Sequence, residues 1–381
     1  MILRSKQPNV GTTIFTVMSK LAADHSAINL SQGFPSYNCS PKLIELVDKH
    51  LKLGHNQYAP MAGVPALREI LAQKTADLYG QYYDPETEIT IVSGATEALF
   101  ACMTAIVDLG DEVIVFEPAY DSYVPAIELN GGKAVYITLK PDNGYAIDWA
   151  EVKAKISDKT KAILVNTPHN PTGKCLSMSD LNELAAILKD TNIFVIADEV
   201  YEHILFDGRQ HCSLMMHPVL KERTFICGSF GKTFHITGWK IGYCLAPKEL
   251  STEFRKAHQW ITFSVPTPFQ FAIADFLKEP SHYLELPAFY EQKRDKFLSY
   301  LRQSRFEFTP AEGSFFQCVS YKNICQDHDF DLAVRWTKEI GVAAIPVSAF
   351  YHQKNDYQML RFCFAKDDEI LAKAGERLCN L

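Results

Sequence analysis

The sequence predicts an α/β fold: a large domain with a mostly parallel central sheet flanked by helices, plus a smaller α+β domain. Three observations carry this expectation. From residue 88 to 245 short apolar runs alternate with amphipathic helical stretches, the pattern of βαβ units whose strands are covered by helices on both faces. Those runs end in polar residues, at the edge where sheets of this kind gather their ligands. After about residue 280 the rhythm changes to a charged amphipathic helix and shorter strand-like runs,.

Composition sets the bounds. The 381 residues, 47% hydrophobic and 12% aromatic, supply a sizeable core and allow two or three domains,. We divide them into an N-terminal arm that joins the small domain (1–40), a large domain (41–280) and a C-terminal small domain (281–381). With 38 basic against 45 acidic residues the net charge is −7, and no basic stripe suggests a nucleic-acid partner. The opening Met1-Ile-Leu-Arg-Ser-Lys-Gln-Pro8 lacks an apolar signal core, and no apolar stretch approaches a membrane span of about eighteen residues. A cytoplasmic protein with no membrane partner is expected. The ten cysteines are scattered without a C-x-x-C pair, so we expect buried free thiols and no metal site.

Residues 1 to 40 show little periodicity but contain Gly11-Thr-Thr-Ile-Phe15 and Asn29-Leu-Ser-Gln-Gly-Phe-Pro35. Gly33 marks either an ordinary loop or a turn whose backbone approaches a ligand closely. Asn56-Gln-Tyr58-Ala-Pro60 precedes a helical pattern at Leu67, Ile70, Leu71 and Leu78,. Strands are then predicted at 89–92, 113–116, 134–139, 162–165, 193–197, 225–227 and 241–245.

The first run ends in Ser93-Gly-Ala-Thr96, which opens a helix and offers either a cap or an anion site made of free N–H groups. The run at 113–116 ends in Glu117-Pro-Ala-Tyr120, with a ring for a flat ligand. The run at 162–165 ends in a Pro- and Gly-fixed loop, Asn166 to Gly173, where Asn170 can aim an amide at a ligand oxygen,. Asp198-Glu-Val-Tyr201 follows 193–197 directly. A carboxylate closing a buried apolar strand needs a cation, unless it is a helix cap or half of a salt bridge.

The run at 225–227 leads into Ser229-Phe-Gly-Lys232-Thr-Phe-His-Ile-Thr-Gly-Trp-Lys240. A lysine condenses with an aldehyde only when unprotonated, which requires a desolvated or cationic setting. Gly231-Lys232-Thr233 also resembles the tail of a phosphate-binding loop, but Ile226 stands where that pattern needs glycine,. Beyond 280 we expect a helix over 283–301, strands at 314–319, 342–345 and 359–364, and helices near 329–340 and 367–379. Arg361 falls within Met-Leu-Arg-Phe-Cys-Phe. Strand alternation would place it with Met359 and Cys363 on one half-buried face, its fork suited to a ligand carboxylate or to a structural Asp or Glu.

Taken together, Ser229-x-x-Lys232, Asn170-Pro-Thr-Gly173, Asp198-x-x-Tyr201 and Arg361 resemble the site of the pyridoxal-phosphate aminotransferases of fold type I, class I and II. Order and spacing match from roughly Gly11 to Ala365. The resemblance implies pyridoxal 5′-phosphate (PLP) bound in the large domain. It makes Lys232 the lysine that joins the cofactor's aldehyde and shuttles the substrate's α-proton. Asp198 would pair with the pyridine nitrogen, Tyr201 and Asn170 would hold the phenolic oxygen, and Tyr120 would stack on the ring. Ala95, Thr96, Ser229 and Lys240 would hold the phosphate, Lys240 standing where many relatives have arginine. Tyr58 would reach the phosphate of the neighbouring subunit, so a homodimer is implied.

Arg361 would clamp the substrate's α-carboxylate with Asn170 and the backbone at Gly33. Phe15, Phe34, Phe263 and Phe350 lie in stretches that line the side-chain pocket in relatives, and no second cation stands ready for a distal carboxylate. Aromatic walls suit thioethers and rings. The wording of Leu-Ser-Gln-Gly-Phe-Pro and Phe-Gly-Lys-Thr-Phe-His-Ile-Thr-Gly-Trp-Lys is similar to the bacterial methionine aminotransferases, beside the kynurenine aminotransferase and glutamine transaminase K branch. This implies ping-pong transfer of an amino group from methionine or an aromatic amino acid to a 2-oxo acid. A cysteine-S-conjugate β-lyase on the same site, and more remotely a PLP-sensing regulatory domain, are the alternatives.

Overall fold

Each of the seven apolar runs forms a strand of one sheet in the computed structural model. They are β1 (Ile89–Val92), β2 (Glu112–Glu117), β3 (Lys133–Thr138), β4 (Thr160–Asn166), β5 (Phe194–Asp198), β6 (Thr224–Ser229) and β7 (Gly242–Leu245). The order across the sheet is β1-β7-β6-β5-β4-β2-β3, and only β7 runs against the others. The structure describes residues 5–8 and 10–381. Residues 1–4 and 9 lie outside the described residues, and with them the start of the expected N-terminal arm and half of the stretch judged to lack a signal core.

Why these runs read as continuous apolar segments is visible in their packing. Val113, Val115, Leu164, Ile196 and Phe225 pack on one face with the helices Gly94–Ile106 and Lys248–Ile261. Their neighbours Ile114, Ile163, Val165, Val195 and Ile226 pack on the other with the helices Pro65–Tyr79 and Met178–Leu188. Alternate side chains therefore enter two cores, and the period-two signal of a half-exposed strand vanishes.

The C-terminal part has its own antiparallel sheet of Ile345–Pro346, Met359–Cys363 and Phe316–Ser320. One element is added here and three expectations are corrected. Residues 1 to 40, read as having little periodicity, hold a helix: Ile14–Asp24 is N-capped by the Thr13 hydroxyl and buries Met18 and Ala22. The helix expected over 283–301 breaks into Ser281–Leu284 and Leu286–Leu301, because Pro287 supplies no N–H and belongs in the first turn of a new helix. The run 342–345 is split: Val342–Ala343 pairs in parallel with Ile28–Asn29, whereas Ile345–Pro346 joins the other sheet. Finally, Met359–Cys363 is buried on both faces, not one. Phe362 packs on Phe297 of Leu286–Leu301, while Arg361 faces Asn170 in the loop after β4. Among the described residues no helix is long and apolar enough to cross a membrane.

Candidate active site

The carboxyl ends of β1, β4, β5 and β6 open on a cavity of about 320 Å³, closed from the far side by Gly33, Phe15, Phe316 and Arg361. Lys232 enters it from the short helix Phe230–Thr233 that follows β6. Its Nζ donates to the Gly33 carbonyl at 2.9 Å. Burial lowers its pKa to about 8, and the positive charges of Arg361 and Lys240 act in the same direction while Asp198 opposes them,. An appreciable fraction of this amine is neutral at physiological pH, which an exposed lysine does not achieve.

Asp198 closes β5, and burial pushes its carboxyl up to about 7. The cation expected for it is the cofactor's ring nitrogen; within the chain Tyr123 donates its hydroxyl to Oδ2 at 2.6 Å, and the Val200 N–H donates to Oδ1 at 3.3 Å. No lysine, arginine or histidine forms a salt bridge with it among the described residues. Asn166 ties this strand end to the next loop, its amide donating to the Asp198 carbonyl at 2.8 Å while its oxygen accepts from the Asn170 N–H at 2.7 Å.

Arg361 is fully buried. One terminal nitrogen donates to Asn170 Oδ1 and the other to the Ser31 carbonyl, both at 2.8 Å, and Nε has no partner. Neither an aspartate nor a glutamate pairs with it among the described residues, so the structural ion pair weighed from sequence is absent. The guanidinium stacks 3.9 Å from the Phe316 ring centre, with Phe15 and Phe350 at 5.3 Å. Burial lowers its pKa to about 10, which leaves it charged at neutral pH.

At the opposite end Gly94 begins the helix Gly94–Ile106 with φ of +73°. A Cβ there would lie 3.1 Å from Lys240 Nζ, so glycine keeps open the space between the helix N-terminus and that ammonium. Lys240 Nζ lies 3.5 Å from Thr96 Oγ1, and Ala95 and Ser229 also line this end. Free N–H groups, a helix dipole, hydroxyls and an ammonium form an anion cradle. Tyr120 stands beside it, its hydroxyl raised to about 12 by burial and by Asp121 and Asp198. Tyr201 lines the wall below Lys232, its ring edge-on to Phe315 and Phe316.

Thus Gly33, Ala95, Thr96, Tyr120, Asn170, Asp198, Tyr201, Ser229, Lys232, Lys240, Arg361 and Phe15 share one cavity, and Phe350 backs Phe15 at 5.9 Å. Three residues do not reach it within the chain. Tyr58 is 84% exposed and rests edge-on against Phe263, itself partly exposed with φ of +67°. Phe34 is exposed and lies over Lys366. Sequence reasoning gave no role to Tyr123, Asn166 or Phe316. Only Asn166, a polar residue ending an apolar run, carried a usable signal.

Comparison with known proteins follows the same geometry. The sequence profile described as "Aminotransferase class I and II" matches residues 25–378. Methionine aminotransferase of Escherichia coli (strain K12) is 50% identical over 382 aligned positions, covering 100% of this chain and 99% of that protein. Human kynurenine–oxoglutarate transaminase 1 is 35% identical, covering 94% and 93%. The crystal structure of YbdL from Escherichia coli, described as identifying a methionine aminotransferase function, has a TM-score of 0.98 at 49% identity, with both chains covered completely.

Proposed function

We propose a function on one premise: the chain belongs to the class I and II aminotransferase family, so it is an aminotransferase of fold type I. Within that family we read it as a PLP enzyme that takes the amino group of methionine or an aromatic amino acid and passes it to a 2-oxo acid. The observation that carries this reading is the placement of Lys232 and Asp198 on neighbouring strand ends of one cavity, with the carboxylate-free Arg361 on its far wall.

The residues present fit the cofactor. The cradle that a Cβ on Gly94 would fill suits a phosphate held by Ala95, Thr96, Ser229 and Lys240. Asp198 would hold the pyridine nitrogen, Tyr201 and Asn170 the phenolic oxygen, and Tyr120 a ring face. When bound, PLP supplies an aldehyde that takes up the amino group and a ring that accepts the electrons left when the α-proton departs.

The chain's own residues do the rest. Lys232, neutral in part, would form the covalent link and hold the α-proton on Nζ between its removal and its return. Asp198, whose anionic form the Tyr123 hydroxyl and a backbone N–H favour against burial, would keep the ring nitrogen protonated. Arg361 would bind the α-carboxylate, aligned by Asn170 and Ser31. The cations lining the cavity are Lys232, Lys240 and Arg361, and each already has a task. None is left for a distal carboxylate, so the side chain meets Phe15, backed by Phe350, and Phe316, a wall suited to a thioether or a ring.

Exposed Tyr58, outside its own chain's cavity, supports a homodimer in which it completes the partner's phosphate site. The ten free thiols suit a reducing cytoplasm. The test is a visible spectrum of the purified protein supplied with PLP. A yellow band that bleaches with methionine, releases the oxo acid and returns on adding a 2-oxo acid is expected. Absence of the band, or bleaching without oxo acid, refutes the reading.

A further inference from the structure

Three cysteines far apart in sequence meet in the core between the helix Gly94–Ile106 and the sheet. Cys227 on β6 and Cys244 on β7 are directly opposite each other in the antiparallel ladder, and Cys102 comes down on them from the helix. All three are at most 2% exposed. Their sulfurs lie within 4.8 Å of one another, with Cys102 and Cys227 at 3.9 Å. We propose that Cys102, Cys227 and Cys244 form a three-thiol site for a trivalent thiophilic ion of the arsenite class.

The spacing admits one ion, and charge points to that class. Three sulfurs this close can all reach one ion, and arsenic(III), pyramidal because of its lone pair, needs three ligands on one side and no fourth. The three thiols belong to an apolar core that also includes Val92, Leu99, Phe225 and Phe254, side chains that cannot ligate an ion. Three thiolates on a divalent ion carry one net negative charge, and on a monovalent ion two. Burying such a charge without a partner is strongly unfavourable. Arg255 directs its fork to Thr90 Oγ1 and the Glu86 and Ile89 carbonyls, so it makes no hydrogen bond to the thiols and offers at most one charge at a distance. A trivalent ion with three thiolates is neutral and suits this core.

The exchange balances without an oxidant. Arsenous acid, As(OH)₃, loses three As–O bonds and the thiols three S–H bonds. Three As–S bonds form, three waters leave, and arsenic stays trivalent. The location also matters. Cys227 is paired across the sheet with Asp198, and the helix of Cys102 starts at the Gly94 turn. Occupancy would therefore cross-link the elements that form the cavity floor.

The test is arsenic X-ray absorption and intact mass on the full-length protein after prolonged incubation with arsenite and desalting. One arsenic with three sulfur neighbours is expected, with a mass gain of one arsenic less three hydrogens. Cys244→Ala should lose one sulfur neighbour and gain an oxygen. Cys102→Ala should do the same, and serves if the strand variant does not fold. No bound arsenic in the wild type, or three-sulfur arsenic persisting in either variant, would overturn the proposal.

Discussion

Replacing Arg361 with lysine keeps a positive charge beside Lys232 and removes the fork, which makes it the most selective perturbation of the substrate clamp. In the structure one arm of the fork is aligned by Asn170 Oδ1 and the other by the Ser31 carbonyl, with the plane stacked on Phe316. A lysine ammonium cannot serve both alignments and a carboxylate together. Loss of one charged hydrogen bond costs about 1.5–3 kcal/mol, and a stranded buried oxygen about 1–3 kcal/mol more. Their sum, taken near 3–4 kcal/mol, is roughly a 10²- to 10³-fold fall in kcat/KM for methionine. The assay is the single-turnover half-reaction with methionine, set beside 3-(methylthio)propylamine, which keeps the side chain and amine but has no carboxylate. The amine should react equally slowly with both proteins, within about threefold. A loss of the same size for both compounds, or a methionine loss below about fivefold, would refute the clamp and leave Arg361 a structural residue.

Four further outcomes follow from the same site. Covalent capture of PLP should speed up with pH only until Lys232 is neutral, levelling off above about 8; stopped-flow rates that keep climbing toward the ordinary lysine range would contradict the burial argument. Asp198→Asn should lower kcat by about 10²- to 10³-fold, and, because the lost negative charge had been raising the lysine, should move the capture profile to lower pH. Tyr123→Phe removes the donor that holds Asp198 down, so the acid limb of the kcat profile should rise in pH and kcat fall about tenfold, with unchanged far-UV circular dichroism. Mixing Lys232→Ala with Tyr58→Ala chains should restore about a quarter of the sites, since random pairing leaves one intact site in half the dimers; no recovery would mean that Tyr58 does not act across subunits.

The central sheet was legible because strands buried on both faces must be apolar throughout, as 162–165 and 193–197 are. The reversal of β7 was not, since it depends on the path after Lys232. There the chain turns through Lys240, a non-glycine residue at φ of +57°, and returns without the long helical crossover a parallel strand would need. The helix Ile14–Asp24 was illegible for a different reason. Ile14, Phe15, Met18, Leu21 and Ala22 do fall at helical spacing against the core, but Val17 and Ala23 lie off that stripe and blur it, and a helix this short depends on its tertiary packing for stability.

At the site, what could be read was what is out of place. Asp198 ending an apolar strand and Arg361 inside another are energetically anomalous unless something answers them. Tyr123 and Phe316 are aromatics in apolar stretches, indistinguishable in sequence from ordinary core, although one holds Asp198 and the other stacks on Arg361. The net result was also invisible in the overall charge of −7. Burial drives Lys232 toward its neutral form and Asp198 toward its own, against the attraction between them, so both are partly discharged. Arg361, at about 10, stays far above neutrality, and the Lys240 amine stands at the other end. An acidic protein therefore carries a cavity that is cationic at both ends. Such a cavity matches the phosphate and the α-carboxylate that the proposed function places at its two ends.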